Sequence, residues 1–320
     1  MSNDQVLAAA ALKRLAADPV LSTGFRAGGP LRSLLQASAR RYVVAADAPT
    51  AVRRMQTLAD KGYAVGMEYV GENVTDRSEV ARIAAQYSAL IATLPQGGLC
   101  ARTELNFDLS NVGLLISPEL ALKTSDAILA EAAARGLFVT ISMERASMVD
   151  SILEVFHELA ARHVNVGITL QAYLHRTPDD LARVLATGRK VRLVKGVYQE
   201  GPEHALPRSA ALDERYIDLA QRLHAAGVAH TFATQDRALV AALRERGLLD
   251  GGAELEMLHG VQPAFMRLLK QDGVNCRVYG TFGENWYLHL LHRLAEAPMN
   301  VLQALGDFEQ PSRVVFGGEY

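Results

Sequence analysis

Cysteine is scarce in this chain, aromatic residues are few, and neither sign of charge is in surplus. Two cysteines in 320 residues, Cys100 and Cys276, are too few for a disulfide scaffold and have no metal-ligand spacing, so both are expected to be reduced and structural. Lys and Arg number 33 against 35 Asp and Glu. No excess of positive charge exists to neutralise a phosphate backbone, which argues against nucleic acid as a partner. No uninterrupted apolar stretch reaches the roughly 18 residues that a membrane span needs. The opening MSNDQVLAAA lacks the basic flank and cleavage pattern of a signal peptide. A cytoplasmic protein with at most peripheral membrane contact is the expectation. With 25 Gly, 11 Pro and an apolar share of 49%, disordered, collagen-like and coiled-coil chains are excluded.

Length alone suits either two domains or one α/β barrel with extensions. The texture along the chain separates them. Residues 4 to 59 carry helical patterns, Val6 to Ala17 and Pro49 to Lys61, around the loop signal Ala27-Gly28-Gly29-Pro30, and predict an N-terminal helical arm over 1–60. From Ala64 onward, short runs rich in β-branched residues alternate with longer amphipathic stretches. Eight runs stand out: Ala64 to Val70, Leu105 to Leu109, Phe138 to Met143, Val166 to Leu170, Val191 to Val197, His230 to Thr234, Glu254 to Leu258 and Asn275 to Tyr279. Helices are predicted between them, with Gly136, Gly188, Gly227 and Gly273 as stops, and Glu284 to Ala297 closes the series. Eight strand-helix units predict a (βα)8 TIM-like barrel over 61–300, its centre filled by bulky apolar residues and its chemistry at the strand C-termini. A doubly wound open sheet is the rival, weakened by the lack of a Gly-x-Gly-x-x-Gly turn after the first strand. Residues 301–320 read as a variable tail.

Polar residues at the strand ends form a consistent set. The first strand ends in Glu68, followed by Gly71-Glu72; the second carries Asp108, the third Ser142 and Glu144, and the fourth runs into Gln171-Ala172-Tyr173. In the fifth, Arg192, Val194 and Gly196 share one pleat face. An Arg inside a buried strand is costly unless it meets an anion or a strong acceptor, and a structural pair with a neighbouring carboxylate is as reasonable as a ligand. The last helix places His289, His292, Arg293 and Glu296 at offsets of three and four, hence on one face. That stripe fits an exposed face with an Arg293–Glu296 pair, or a site. A metal site from His289, His292 and Glu296, helped by His259, lacks further ligands.

Several ordered motifs now converge. Arg192-Leu-Val-Lys-Gly-Val-Tyr198, Thr231-Phe-Ala-Thr-Gln-Asp236, Glu256-Met-Leu-His-Gly260, Arg277-Val-Tyr-Gly280 and Trp286-Tyr-Leu-His-Leu-Leu-His-Arg-Leu-Ala-Glu296 together resemble the proline dehydrogenase family of FAD-dependent barrels, from about Gly66 to Asn300. The resemblance implies a distorted barrel whose eighth helix lies over a flavin. It places Arg192 and Gln171 at the isoalloxazine, with Lys195, Gly196 and Thr234 holding the rest of the FAD. Gln235 stands where the family usually has His, and Glu296 falls on the same cofactor side.

The substrate side departs from that pattern. Where the family grips the proline carboxylate with two adjacent Arg and a strand Lys, this chain has His292, Arg293 and Asp108. The family's third-strand Asp is Ser142, its first-strand Asp is Glu68, and the Tyr that packs on the substrate ring is His289; Tyr198 and Tyr279 match. Joint loss of the strand Lys and the third-strand Asp is replacement of an interacting pair, since losing one alone leaves a buried charge unpartnered. The expectation is a flavin-dependent oxidoreductase that oxidises a CH–NH bond of proline, or preferably of a modified imino acid or amine, and passes electrons to a quinone, another carrier or oxygen. The alternatives are a metal-dependent barrel hydrolase and a non-catalytic relative that binds without turnover.

Overall fold

The computed structural model describes residues 3–16, 18–71, 73–95, 97–296 and 298–320. Glu72 and the predicted helix ends Ala17 and Ala297 lie outside them. Among the described residues nine strands form: β1 (Val43–Ala45), β2 (Ala64–Tyr69), β3 (Thr103–Phe107), β4 (Phe138–Ile141), β5 (Val166–Gln171), β6 (Lys190–Val194), β7 (His230–Ala233), β8 (Glu254–Leu258) and β9 (Asn275–Phe282). Each strand from β2 to β8 pairs in parallel with the next, β8 pairs with β9, and β9 returns to β2. The sheet is therefore a closed eight-stranded barrel and the open-sheet alternative falls. β1 was not foreseen; it pairs with β9 outside the ring. β9 is long because it serves three neighbours, β8 along Asn275–Tyr279, β2 along Arg277–Phe282, and β1 at its end.

Local chemistry sets the helix ends. The Asp47, Asp76, Ser117 and Asp236 side chains accept from first-turn amides, which satisfies donors that have no intrahelical partner. Gly227 ends its helix in the left-handed region at φ 68°, a conformation cheap only for glycine. Residues 298–320 are ordered by packing: a helix runs over Pro298–Glu309, and the Tyr320 hydroxyl accepts from the Gly260 amide at 2.9 Å.

One expectation is overturned. The centre of the barrel is charged, and the apolar residues face outward. Val65, Met67, Leu105, Phe107, Val139, Ile141, Ile168, Leu193, Phe232, Leu255 and Val278 belong to the main hydrophobic cluster, whereas the alternate positions of the same strands carry the ions. Lys190 on β6 reaches Glu104 on β3 and Glu254 on β8, each at 2.6 Å, and Arg277 on β9 meets Glu254 at 2.6 Å. With period two, the apolar set packs beneath the helices and the polar set turns inward. Such charges are tolerable inside because each meets an opposite charge.

Candidate functional site

Above this ionic floor the strand C-termini open into a cavity of about 1910 Å³, larger than the roughly 300–1,000 Å³ of ordinary small-ligand sites. All the site residues singled out from the sequence line it: Arg293, His292, His289, Tyr279, Tyr198, Asp108 and Ser142, together with Arg192, Gln171, Lys195, Gly196, Thr234, Gln235 and Glu296. The stripe of the helix Tyr287–Glu296 therefore faces the cavity, and the exposed-face reading falls.

On the wall formed by β5, β6 and β7, Gln171 Nε2 donates to the Glu144 carbonyl at 2.6 Å. Arg192 Nε donates to Glu256 Oε1 at 2.7 Å, and its guanidinium lies 4.7 Å above the centre of the Tyr279 ring. Carboxylate neighbours thus hold the Arg192 cation against the penalty of burial. Lys195 lies between Asp213 at 2.5 Å and Asp236 at 2.7 Å. Gly196 takes φ 115°, and a Cβ there would come within 2.3 Å of the Tyr173 ring. Thr234 Oγ1 accepts from the Asp236 amide at 3.2 Å.

A carboxylate cluster occupies the ends of β2, β3 and β4. Burial, then the Asp108 charge, push Glu68 up to about 8, against a hydrogen bond from the Tyr279 hydroxyl. Burial and Asp108 likewise push Glu144 up to about 8, although it accepts from the Ser110 amide at 2.9 Å. Asp108, hydrogen-bonded to Ser142, is raised to about 6, chiefly by burial. Tyr198 faces all three carboxylates, and burial together with their charge raises its hydroxyl.

The helix Tyr287–Glu296 supplies the remaining wall. Burial, and then Arg293, lower His289 to about 3 and His292 to about 4, so both rings are neutral at pH 7. Arg293 Nη1 lies 2.6 Å from Glu296 Oε1, and Glu296 accepts from Gln235 at 3.2 Å. This chain of contacts ties the helix to the end of β7. Arg293 Nε is buried with no hydrogen-bond partner.

His259 does not join the set required for a metal. Its ring packs 4.6 Å from Phe316, and its Nδ1 is 3.3 Å from the Tyr320 hydroxyl. Among the described residues no group of three or more His, Cys, Asp or Glu is arranged to hold a metal ion. Sequence reasoning passed over Glu256 as a site residue. The signal was present: Glu254 and Glu256 alternate in a buried strand, and a buried Arg requires such a partner.

The fit to a large cofactor rests on this donor set. Gln171, Arg192, Lys195 and Thr234 line one cavity with room for a cofactor and a substrate together. A profile of the proline dehydrogenase family matches residues 51–300. Proline dehydrogenase 1 of Bacillus subtilis is 29% identical over 266 residues, 82% of this chain and 87% of that protein. Proline dehydrogenase 2 of the same organism is 30% identical over 260 residues, 80% of this chain and 85% of that protein. Proline dehydrogenase of Deinococcus radiodurans is 29% identical over 273 residues, 82% of this chain and 87% of that protein. Among solved structures, proline utilization A of Bdellovibrio bacteriovorus, inactivated by N-propargylglycine, superposes with TM-score 0.73 at 18% identity over 87% of this chain. The match spans 35% of that longer protein, so it speaks for the barrel fold. The matched profile and these relatives cover most of the chain, and the chain belongs to the proline dehydrogenase family of oxidoreductases.

Proposed function

We propose that the protein is an FAD-dependent dehydrogenase that oxidises the CH–NH bond of proline, or preferably of a modified imino acid or amine, to an imine. The observation that carries the reading is the gathering of Gln171, Arg192, Lys195 and Thr234 with the stripe His289, His292, Arg293 around one cavity. When bound, FAD supplies the hydride acceptor at its N5. Gln171 and Arg192 would hold the electron-rich end of the cofactor, because a cation and an amide donor stabilise added negative charge. Lys195, Gly196 and Thr234 would hold the remainder, with Gln235 and Glu296 fixing the helix that covers it.

For the substrate, Tyr198 and Tyr279 offer ring faces, and Arg293 Nε offers one unused donor. An amine arriving unprotonated supplies its own electron pair, so no protein base is assigned. Reoxidation would use a quinone, another carrier or oxygen. The test is the FAD content of a denatured extract, followed by anaerobic bleaching with proline, ring-substituted prolines and other amines. A yellow protein that one of these bleaches is expected. Protein that stays colourless after reconstitution sinks the reading, and a flavin that no amine bleaches leaves a binding protein without turnover.

A further inference from the structure

We infer that Gln262 is a positioning residue: its side chain fixes the end of β7 and, through Gln235 and Glu296, seats the helix Tyr287–Glu296 over the cavity. This rests on the reading of that helix as the cover of a cofactor.

The backbone of Gln262 stands at φ 51° and ψ 46°, in the left-handed region, which is uncommon for any residue but glycine. Pro263 follows directly, and the residue before a proline favours extended backbone, so the conformation is unfavourable twice over. It persists only where the surroundings hold it. Behind the turn, the Tyr320 hydroxyl accepts from the Gly260 amide at 2.9 Å, and the Tyr320 ring stacks on His259 with centres 5.7 Å apart. In front of it, the Gln262 side chain supplies the rest of the hold. Gln262 stands at the N-cap of the helix Pro263–Gln271, yet its side chain makes no capping hydrogen bond; the amide turns toward β7 instead.

Both ends of that amide are used. Nε2 donates to the Gln235 carbonyl at 2.8 Å, and Oε1 accepts from Arg237 Nε at 2.6 Å. A neutral amide suits the place because it must donate to a carbonyl and accept from a guanidinium at once. The Arg237 guanidinium also lies 4.5 Å from the centre of the Phe265 ring. The segments that follow β7 and β8 thus clasp each other on the cavity wall, which Gln235, Arg237, Gln262 and Phe265 all line. Gln235 in turn donates to Glu296 Oε2 at 3.2 Å, and Glu296 Oε1 meets Arg293 Nη1 at 2.6 Å. A continuous chain of contacts therefore runs from Gln262 to the face that carries His289, His292 and Arg293.

Amide hydrogen exchange, on FAD-free and FAD-loaded protein, tests the inference. Gln262→Glu keeps the acceptor for Arg237, loses the donor, and sets a carboxylate oxygen against the Gln235 carbonyl. It is expected to speed exchange in the helix Tyr287–Glu296 at least fivefold, with exchange in the helix Pro118–Ala134 unchanged, and to raise the FAD dissociation constant at least fivefold. Gln235→Ala is expected to do the same. Adding Gln262→Glu to Gln235→Ala should then change either quantity by less than twofold, because the two residues act along one route. Gln262→Gly adopts the left-handed turn freely, should match Gln262→Glu, and decides if that variant fails to fold. Unchanged exchange in Tyr287–Glu296, an equal rise in both helices, or a full further effect in the Gln235→Ala background would overturn the inference. The last result would route the effect through Val261, which packs against the apolar cluster that includes Trp286, Tyr287 and Leu290. Unaltered protein that binds no FAD, with the exchange pattern intact, sinks the flavin reading and leaves the seating of the helix standing. FAD bound equally by all variants, with exchange unchanged, does the reverse.

Discussion

Arg192 on β6 and Glu256 on β8 pair across the intervening β7, with Nε 2.7 Å from Oε1. The pair joins two functions that the sequence left as alternatives, a structural ion pair and a cation presented to a ligand. Arg192→Ala is expected to lose flavin or to lower its reduction potential, since a positive charge beside the reduced ring is removed. It also strands Glu256, at a cost of about 3–5 kcal/mol when one partner of a buried pair is deleted. Thermal unfolding and flavin content are the measurements. The double substitution Arg192→Met with Glu256→Gln should recover most of the stability and none of the potential. Lowered stability with unchanged flavin content and potential would leave Arg192 as a structural ion only.

The acid cluster gives the protein a definite response to alkali. Glu68 and Glu144 are raised to about 8, above the roughly 4.3 of an unfolded Glu. The folded state therefore binds these protons more tightly. The associated stability is complete below the unfolded value and is lost as pH rises through about 8. His289 and His292, lowered to about 3 and about 4, act in the other direction. Their contribution is present above about 6.5 and is lost as pH falls through 4 and 3. Melting temperature should decline from pH 6.5 to 9, and Glu144→Gln should flatten that decline. An unchanged slope in Glu144→Gln would remove Glu144 from the account.

The alternation of strand and helix was legible because short β-branched runs and glycine stops recur along the chain, and β8 begins and ends where its pattern did. β1 was not legible: three residues cannot show a period, and Val43–Ala45 is a strand only because β9 continues far enough to pair with it. The charged centre was half visible. Arg192 stood out in its strand, but Lys190 and Glu104 lay just outside the expected strands, and nothing in the sequence pairs them with each other or with Arg277 until closure brings them together. The His289 stripe was legible as a stripe. Its direction was not, since periodicity marks a face without saying what lies opposite.

Selectivity against free proline is the remaining expectation, and it is reversible by design. His292 is neutral at pH 7, lowered to about 4 by burial and by Arg293, and Arg293 is already engaged by Glu296 at 2.6 Å. Asp108 presents a carboxylate where a cation is needed, so proline should reduce the flavin slowly or only at high concentration. Asp108→Lys with His292→Arg should restore a two-point grip on a carboxylate, which a neutral imidazole cannot supply. The introduced lysine needs its own partner. Ser142 already hydrogen-bonds to position 108 from the adjacent strand end, so Ser142→Asp provides one at the right place. The triple variant should raise kcat/KM for proline at least tenfold, and the same change without Ser142→Asp should gain less. Rapid flavin bleaching by low-millimolar proline in the unaltered protein would refute this view, because the carboxylate would then be bound without a strand Lys at position 108 and a second Arg at position 292.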